Sequence, residues 1–179
     1  MTDAGNQAET PFWRFSLRFY RQAGVAESCI VLQDEYGVDV NVLLFLLWLA
    51  DGGRQLSDDD VKKLDDAVCG WRTAAVIPMR DIRRRLKAER TLIEAVEQET
   101  YRTKIKAIEL EAERLQQRAL YALSQATRLG KEAERSAAAR ANVGAYEQAI
   151  NATFPHGATN VLFGAFDSMT RGEQSASPA

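Results

Sequence analysis

The sequence predicts an all-α protein: a compact helical bundle around one buried central helix, about residues 39–50, followed by a long helical arm or helical hairpin after Pro78. Three observations carry this. Only 4 Pro and 11 Gly are spread through 179 residues, and long stretches hold neither. Apolar residues recur at helical spacings, with no sustained two-residue alternation. Residues 42–50 are apolar without interruption, and a helix with no polar face has to be surrounded by others. The 46% hydrophobic content fits a folded globular chain.

Residues 1–10 read as a flexible leader. Thr10-Pro11 then signals a helix start, with Thr as N-cap and Pro where its missing N–H costs nothing. Phe12, Phe15 and Phe19, with Trp13, Leu17 and Tyr20, give the first helix an aromatic face, and Gly24 is expected to end it. A second helix, about 26–36, carries Cys29, Ile30, Leu32 and Gln33 and stops at Gly37. Asp39 is placed to cap the central helix, which Gly52-Gly53 ends.

Ser57 and Asp60 have the spacing of a capping box, and Leu56 and Val61 that of a hydrophobic staple, so a fourth helix starts at Asp58. Its stripe is Val61, Leu64, Val68 and Trp71. Pro78 is expected to interrupt the pattern and push Ile77 out of helical geometry. A fifth helix follows from Met79, with Arg80, Arg83, Arg84 and Lys87 on one broad face.

From residue 80 to 129 there is neither Gly nor Pro. A shift in the phase of the apolar pattern predicts a kink or break between about 88 and 100. Beyond it, Tyr101, Ile105, Ile108, Ala112, Leu115, Ala119, Ala122 and Ala126 alternate by four and three, the period of a coiled-coil seam. After Gly130 an Ala-Arg run has little to bury. Residues 143–154 offer Tyr146, Ile150 and Phe154 for packing, 155–157 read as a turn, and 160–169 as a last short helix. The predicted organisation is a leader (1–10), a bundle core (11–87), an arm packing on the core or a partner (88–129), a helical extension (130–170) and a disordered tail (171–179).

Net charge is −2, and each half of the chain carries −1. No strongly positive domain exists, so no nucleic-acid partner is expected. The nine-residue apolar run is far short of the roughly 20 residues of a spanning helix, so no transmembrane segment is expected. Cys29 and Cys69 are lone thiols with neither metal nor disulfide spacing. Both are expected to be buried, in a cytoplasmic, reducing setting. His156 is the sole histidine, which excludes di-iron Glu-x-x-His pairs and multi-His zinc sites. No metal, cofactor or catalytic residue is assigned.

Phe12-Trp13-x-Phe15-Ser16-Leu17, then Leu32-Gln33-Asp34-x-x-Gly37-x-Asp39-Val40-Asn41-x-Leu43-Leu44 and Trp48-Leu49, form an ordered string of motifs. It continues through Trp71-Arg72, Pro78-x-Arg80, Arg83-Arg84-x-Leu86-Lys87 and a distal Ile105-Lys106-x-x-Glu109-Leu110-Glu111-Ala112-Glu113-Arg114. This string resembles a family of small bacterial proteins, mostly proteobacterial, known only as a domain of unknown function, over about residues 11–125. The resemblance implies no activity.

The candidate ligand or ion-pair cluster is Gln33, Asp34, Asp39 and Asn41 with Arg80, Arg83 and Arg84. Asp34 is expected to pair with one of these arginines across the start of the central helix. The acidic run of Glu109, Glu111 and Glu113 reads as a solvated face, and Trp13, Trp48 and Trp71 as core aromatics. The leading functional expectation is a non-enzymatic protein-interaction or adaptor module, binding a protein partner or itself as a homodimer. The alternative is a binder of a small apolar or amphipathic ligand, possibly an enzyme. Its pocket would be lined by Phe15, Phe19, Trp48 and Trp71, with Asp34 and Arg80 as polar groups.

Overall fold

The computed structural model describes residues 9–88 and 92–175. The expectations for residues 1–8 of the leader and 176–179 of the tail lie outside the described residues. Helix α1 spans Pro11–Tyr20, and the Thr10 hydroxyl accepts the Trp13 N–H at 3.0 Å. Gly24 does not end it: α1 stops at Tyr20, capped by Arg21, and Gly24 precedes the first residue of α2, Val25–Tyr36. Gly37, at φ 71°, stops α2 as expected. Its left-handed turn lets the Val38 N–H reach back to the Leu32 carbonyl at 3.2 Å. That closure sets Asp39 in extended geometry at the N-cap of α3, Val40–Asp51, where its Oδ1 accepts the Asn41 N–H at 2.9 Å.

Helix α3 is the buried centre, with every residue from Asn41 to Leu47 buried. Phe12 meets Phe45 edge-on at 5.1 Å, and Trp48 packs against Phe12, Phe45 and Tyr121. After Gly53, strand β1, Arg54–Gln55, pairs antiparallel with β2, Lys131–Glu132. This two-stranded ribbon has no signature in the sequence. It requires glycine at 130, where φ is 63° and a Cβ would collide with the Gln55 carbonyl.

Helix α4, Asp58–Trp71, carries both halves of the Ser57/Asp60 capping box, over buried Leu56 and Val61. Pro78 does not break the chain. A π-helical turn, Arg72–Val76, runs straight into α5, Ile77–Ala88, and Ile77 keeps helical geometry (φ −60°, ψ −49°). The wider turn bonds the Ile77 N–H to the Arg72 carbonyl five residues back. It makes room for a ring that lacks a donor and would crowd the carbonyl four residues earlier. Helix α6, Ala95–Ala126, begins inside the 88–100 window of the predicted break, of which residues 89–91 lie outside the described residues, and packs against α5 and α3.

Helix α7, Arg135–Ala149, packs on α3 and α4. The Ala-Arg run is expected to bury little, yet Ala138, Ala139 and Asn142 are buried, and Tyr146 and Phe154 of the following segment are buried as expected. Small residues let α7 approach α3 closely, and Asn142 holds the loop after it. Asn142 accepts the Leu56 N–H at 2.8 Å and donates to the carbonyls of Leu46 and Arg54. Helix α8, His156–Ser175, packs on α2. It starts where the pattern predicts a turn at 155–157, and it outruns both the short helix at 160–169 and the start of the disordered tail.

Two further corrections concern single side chains. Cys29 is buried, but Cys69 is exposed on α4. Trp71 is 43% exposed rather than a core aromatic. It sits at the last residue of α4, and its indole N–H donates to the Ala112 carbonyl of α6 at 2.9 Å.

Candidate functional site

The candidate residues separate into two polar clusters on either side of Asn41. The first is buried and grows from the α3 cap. Asp39 Oδ2 accepts Arg72 Nη1 at 3.0 Å and Gln116 Nε2 at 2.5 Å, and the Asp39 N–H donates to the Tyr146 hydroxyl at 3.0 Å. That hydroxyl donates in turn to Asp65 Oδ1 at 3.3 Å, and Arg72 grips both Asp65 oxygens at 2.7 and 3.2 Å. Burial pushes the Tyr146 hydroxyl well above its ordinary pKa, with the Asp65 and Asp39 charges adding to it. Burial opposes the Arg72 charge, but the carboxylates of Asp65 and Asp39 outweigh it and hold the guanidinium protonated. Asp39 thus joins Arg72, not Arg80, Arg83 or Arg84.

The second cluster lies between α5 and α6. Arg80 donates to Glu109 Oε1 at 3.2 Å and to Glu113 Oε1 at 2.9 Å, while Arg83 forms a two-point contact with Glu109. The Glu109 side chain is only 7% exposed, so the expected solvated face is corrected there. The arginines one helix away supply what solvent would otherwise supply. Burial raises the Glu113 pKa; Arg80 opposes that effect, and the charges of Glu109 and Asp39 reinforce it. Asp34 pairs with Arg84 at the outer edge, where both side chains are more than a third exposed, and it also accepts Gln33 Nε2 at 3.1 Å. Its slight burial opposes ionisation, but the bonds from Arg84 and Gln33 hold the carboxyl below the usual range.

A chain of amides bridges the clusters. Gln117 Nε2 donates to Asn41 Oδ1 at 2.8 Å, Asn41 Nδ2 to Gln116 Oε1 at 3.4 Å, and Gln116 Nε2 to Asp39. At its far end Gln117 Oε1 is buried and has no donor among the described residues. Asp65, Arg72, Glu109, Glu113, Gln116, Gln117 and Tyr146 are not among the residues singled out from the sequence as site candidates. The Trp71-Arg72 motif, the Glu109 to Arg114 motif and the packing expected of Tyr146 are its traces of them.

Beside Asn41 and Gln117 opens a cleft of about 600 Å³ between α1, α2, α3, α5 and α6. Its apolar wall is Trp13, Leu17, Tyr20, Ile30, Leu44 and Leu110. Arg21, Arg80, Arg83, Arg84 and Lys106 line it against only two carboxylates, Glu109 and Glu113. Lys106 makes no ion pair with any described residue. The four aromatics expected to line a pocket stand elsewhere. Phe15 and Phe19 stack on each other at 5.6 Å inside the core, Trp48 is half-buried against the core rings of Phe12 and Phe45, and Trp71 lies over α6.

Among the described residues, no three His, Cys, Asp or Glu are grouped to hold a metal ion, and no helix is long and apolar enough to cross a membrane. Burial pushes the Cys29 thiol up to about 12, so it is protonated at neutral pH and unsuited to attack as a thiolate.

Comparison with known proteins gives one match. Residues 11–120 fit the model of a family described as "Protein of unknown function (DUF2390)", more than half of the 179-residue chain. No curated protein and no solved structure matches the chain.

Proposed function

The chain belongs to this family of proteins of unknown function, DUF2390, and within it we propose that the protein binds a small amphipathic acid in the cleft between α1, α2, α3, α5 and α6. The observation that carries the proposal is the cleft's composition: an apolar wall joined to five cationic side chains and only two anionic ones. Its volume falls in the range of small-molecule sites, about 300–1,000 Å³. An apolar body would displace water from Trp13, Leu17 and Leu44, while the head group would meet Arg83, Arg84 and Lys106. The exposed Asp34–Arg84 pair costs little to exchange for a ligand carboxylate. In this proposal the protein binds and carries its ligand in the cytoplasm, where its two thiols stay reduced.

Titration with decanoate, and with decyltrimethylammonium as a cation of the same chain length, tests this through tryptophan fluorescence, of whose three sources Trp13 alone lines the cleft. Decanoate is expected to bind below its micellar concentration and the cation not to. Lys106→Glu should weaken decanoate binding by at least about threefold, from the loss and reversal of one partly screened charge. Equal binding of both amphiphiles, or of neither, overturns the proposal.

A second reading, a protein-interaction module acting as a homodimer, is favoured by one feature of α6. Tyr101, Ile108 and Leu115 recur every seven residues and are exposed by 55%, 53% and 38%, so one edge of the seam faces away from the bundle, while Ile105 and Ala112 of the same seam are buried in it. Light scattering over a range of concentrations, with Ile108→Glu as control, tests it. A monomer at every concentration removes this reading.

A further inference from the structure

The cations of the cleft differ in how far they are committed. Arg80 and Arg83 bond Glu109 and Glu113, and Arg84 bonds Asp34, so these three arginines face three carboxylates. Arg21, the residue after α1, and Lys106 of α6 also line the cleft, and neither makes an ion pair with any described residue. The charge of Lys106 is felt by Glu99, but both oxygens of Glu99 are already taken by Arg102. Two positive charges of the cleft are thus unmatched among the described residues, in a chain whose net charge is −2.

The two sit at one end. Phe12 and Tyr121 both pack on Trp48, each at 5.6 Å between ring centroids, which puts the start of α1 beside the end of α6. Tyr20, the last residue of α1, is within electrostatic reach of Glu113. Helix α1 therefore runs opposite to α6, and Arg21 heads toward Lys106, which stands about two turns before Glu113. Arg83 reaches the same end from α5 through Glu109, about one turn from Lys106. Trp13, next to Phe12, and Leu44, about one turn before Trp48, line the opposite end. The cleft is polarised along its length, cationic at one end and apolar at the other.

Resting on the cleft reading above, we propose that the occupant is a phosphate monoester of an apolar alcohol, its doubly charged head between Arg21, Lys106 and Arg83 and its chain directed toward Trp13 and Leu44. A monocarboxylate would leave one of the two unmatched cations under the ligand, whereas a dianion matches both. Guanidinium groups and an ammonium approach that end from α1, α5 and α6. Charges from three sides suit the three terminal oxygens of a tetrahedral phosphate rather than the flat pair of a carboxylate.

Decyl phosphate and decyl sulfate share a chain and a tetrahedral head, and at about pH 8 they differ by one charge, since the second phosphate pKa is about 6. Calorimetry on the full chain, at one ionic strength, is expected to give the phosphate a Kd tighter by at least about fivefold, the factor for one further partly screened ion pair. Arg21→Gln, at an exposed position, should bring the ratio close to one while leaving decanoate affinity within about threefold, with thermal melting confirming that the variant folds. If that variant is unfolded, the wild-type ratio alone decides. Decanoate binding with a phosphate-to-sulfate ratio near one overturns the dianion inference and leaves the cleft reading standing, and so does a ratio that Arg21→Gln leaves unchanged. Inorganic phosphate binding as tightly as decyl phosphate also overturns it, because the site would then take free phosphate and the apolar end would contribute nothing. If decanoate and both decyl probes all fail to bind, the cleft reading falls and this inference with it.

Discussion

The hydroxyl of Tyr146 accepts the backbone N–H of Asp39 at 3.0 Å, across 107 residues of sequence. That N–H precedes α3 and has no helical partner, so the side chain from α7 completes what the Asp39 carboxylate begins. Tyr146→Phe keeps the buried ring and removes only the oxygen, leaving the N–H unpaired and Asp65 short of one donor. A loss of about 1–3 kcal/mol is expected, read as a lower urea midpoint with an unchanged m-value.

The ion pairs of α5 and α6 should differ sharply in worth. Glu109→Ala strips a largely buried carboxylate from Arg80 and Arg83 and is expected to cost about 3–5 kcal/mol, the range for breaking a buried pair from one side. Arg84→Ala breaks an exposed pair with Asp34 and should cost less than about 1 kcal/mol. Parallel denaturant curves check the contrast, and similar losses for the two variants would contradict it.

Glu113 gives the pH dependence. Burial lifts its folded pKa above the ordinary value of 4.5, against the pull of Arg80. Between 4.5 and that raised value the folded state holds more protons than the unfolded state, so stability falls as pH rises through the window. Asp34, and Asp167 of α8, which accepts Arg140 at 2.9 Å and the Ser136 hydroxyl at 2.6 Å, are shifted downward, so their contribution is present above the ordinary aspartate value and lost only as pH falls below it. Glu113→Gln should flatten the profile from pH 4.5 upward while leaving the loss at lower pH, as measured by urea midpoints at half-unit intervals.

The parts of this fold that depend on near neighbours in the chain are legible in the amino-acid sequence. Thr10, Asp39 and the Ser57/Asp60 pair each cap a helix through atoms two or three residues away, and Gly37 turns the chain by its own backbone freedom. The packing face of α6 is legible only in part. Apolar periodicity picks out Ile105 and Ala112, which the helix buries, together with Tyr101, Ile108 and Leu115, which it exposes, and it passes over the buried Glu109, Gln116 and Gln117, whose partners lie on α5, on α3 and at the α3 cap. Periodicity counts apolar side chains, and it is blind to polar ones neutralised by arginines and amides from distant elements. Arg72 escapes for the same reason: its value comes from Asp39 and Asp65 together. Pro78 misleads because its effect is absorbed by a wider turn upstream, which no local rule anticipates.

The family match ends at residue 120, inside α6 (Ala95–Ala126), while α3 is covered by α7, which comes later in the chain. During synthesis, the most apolar helix of the protein therefore emerges long before its cover. At about 5–20 residues per second, the 107 residues separating Asp39 from Tyr146 take roughly 5–20 s to translate. For that interval α3 has α1 and α2, then α4 and α6, to shelter it, but not α7. The face of α3 that α7 covers therefore stays open until the last quarter of the chain has emerged, and native closure waits for it.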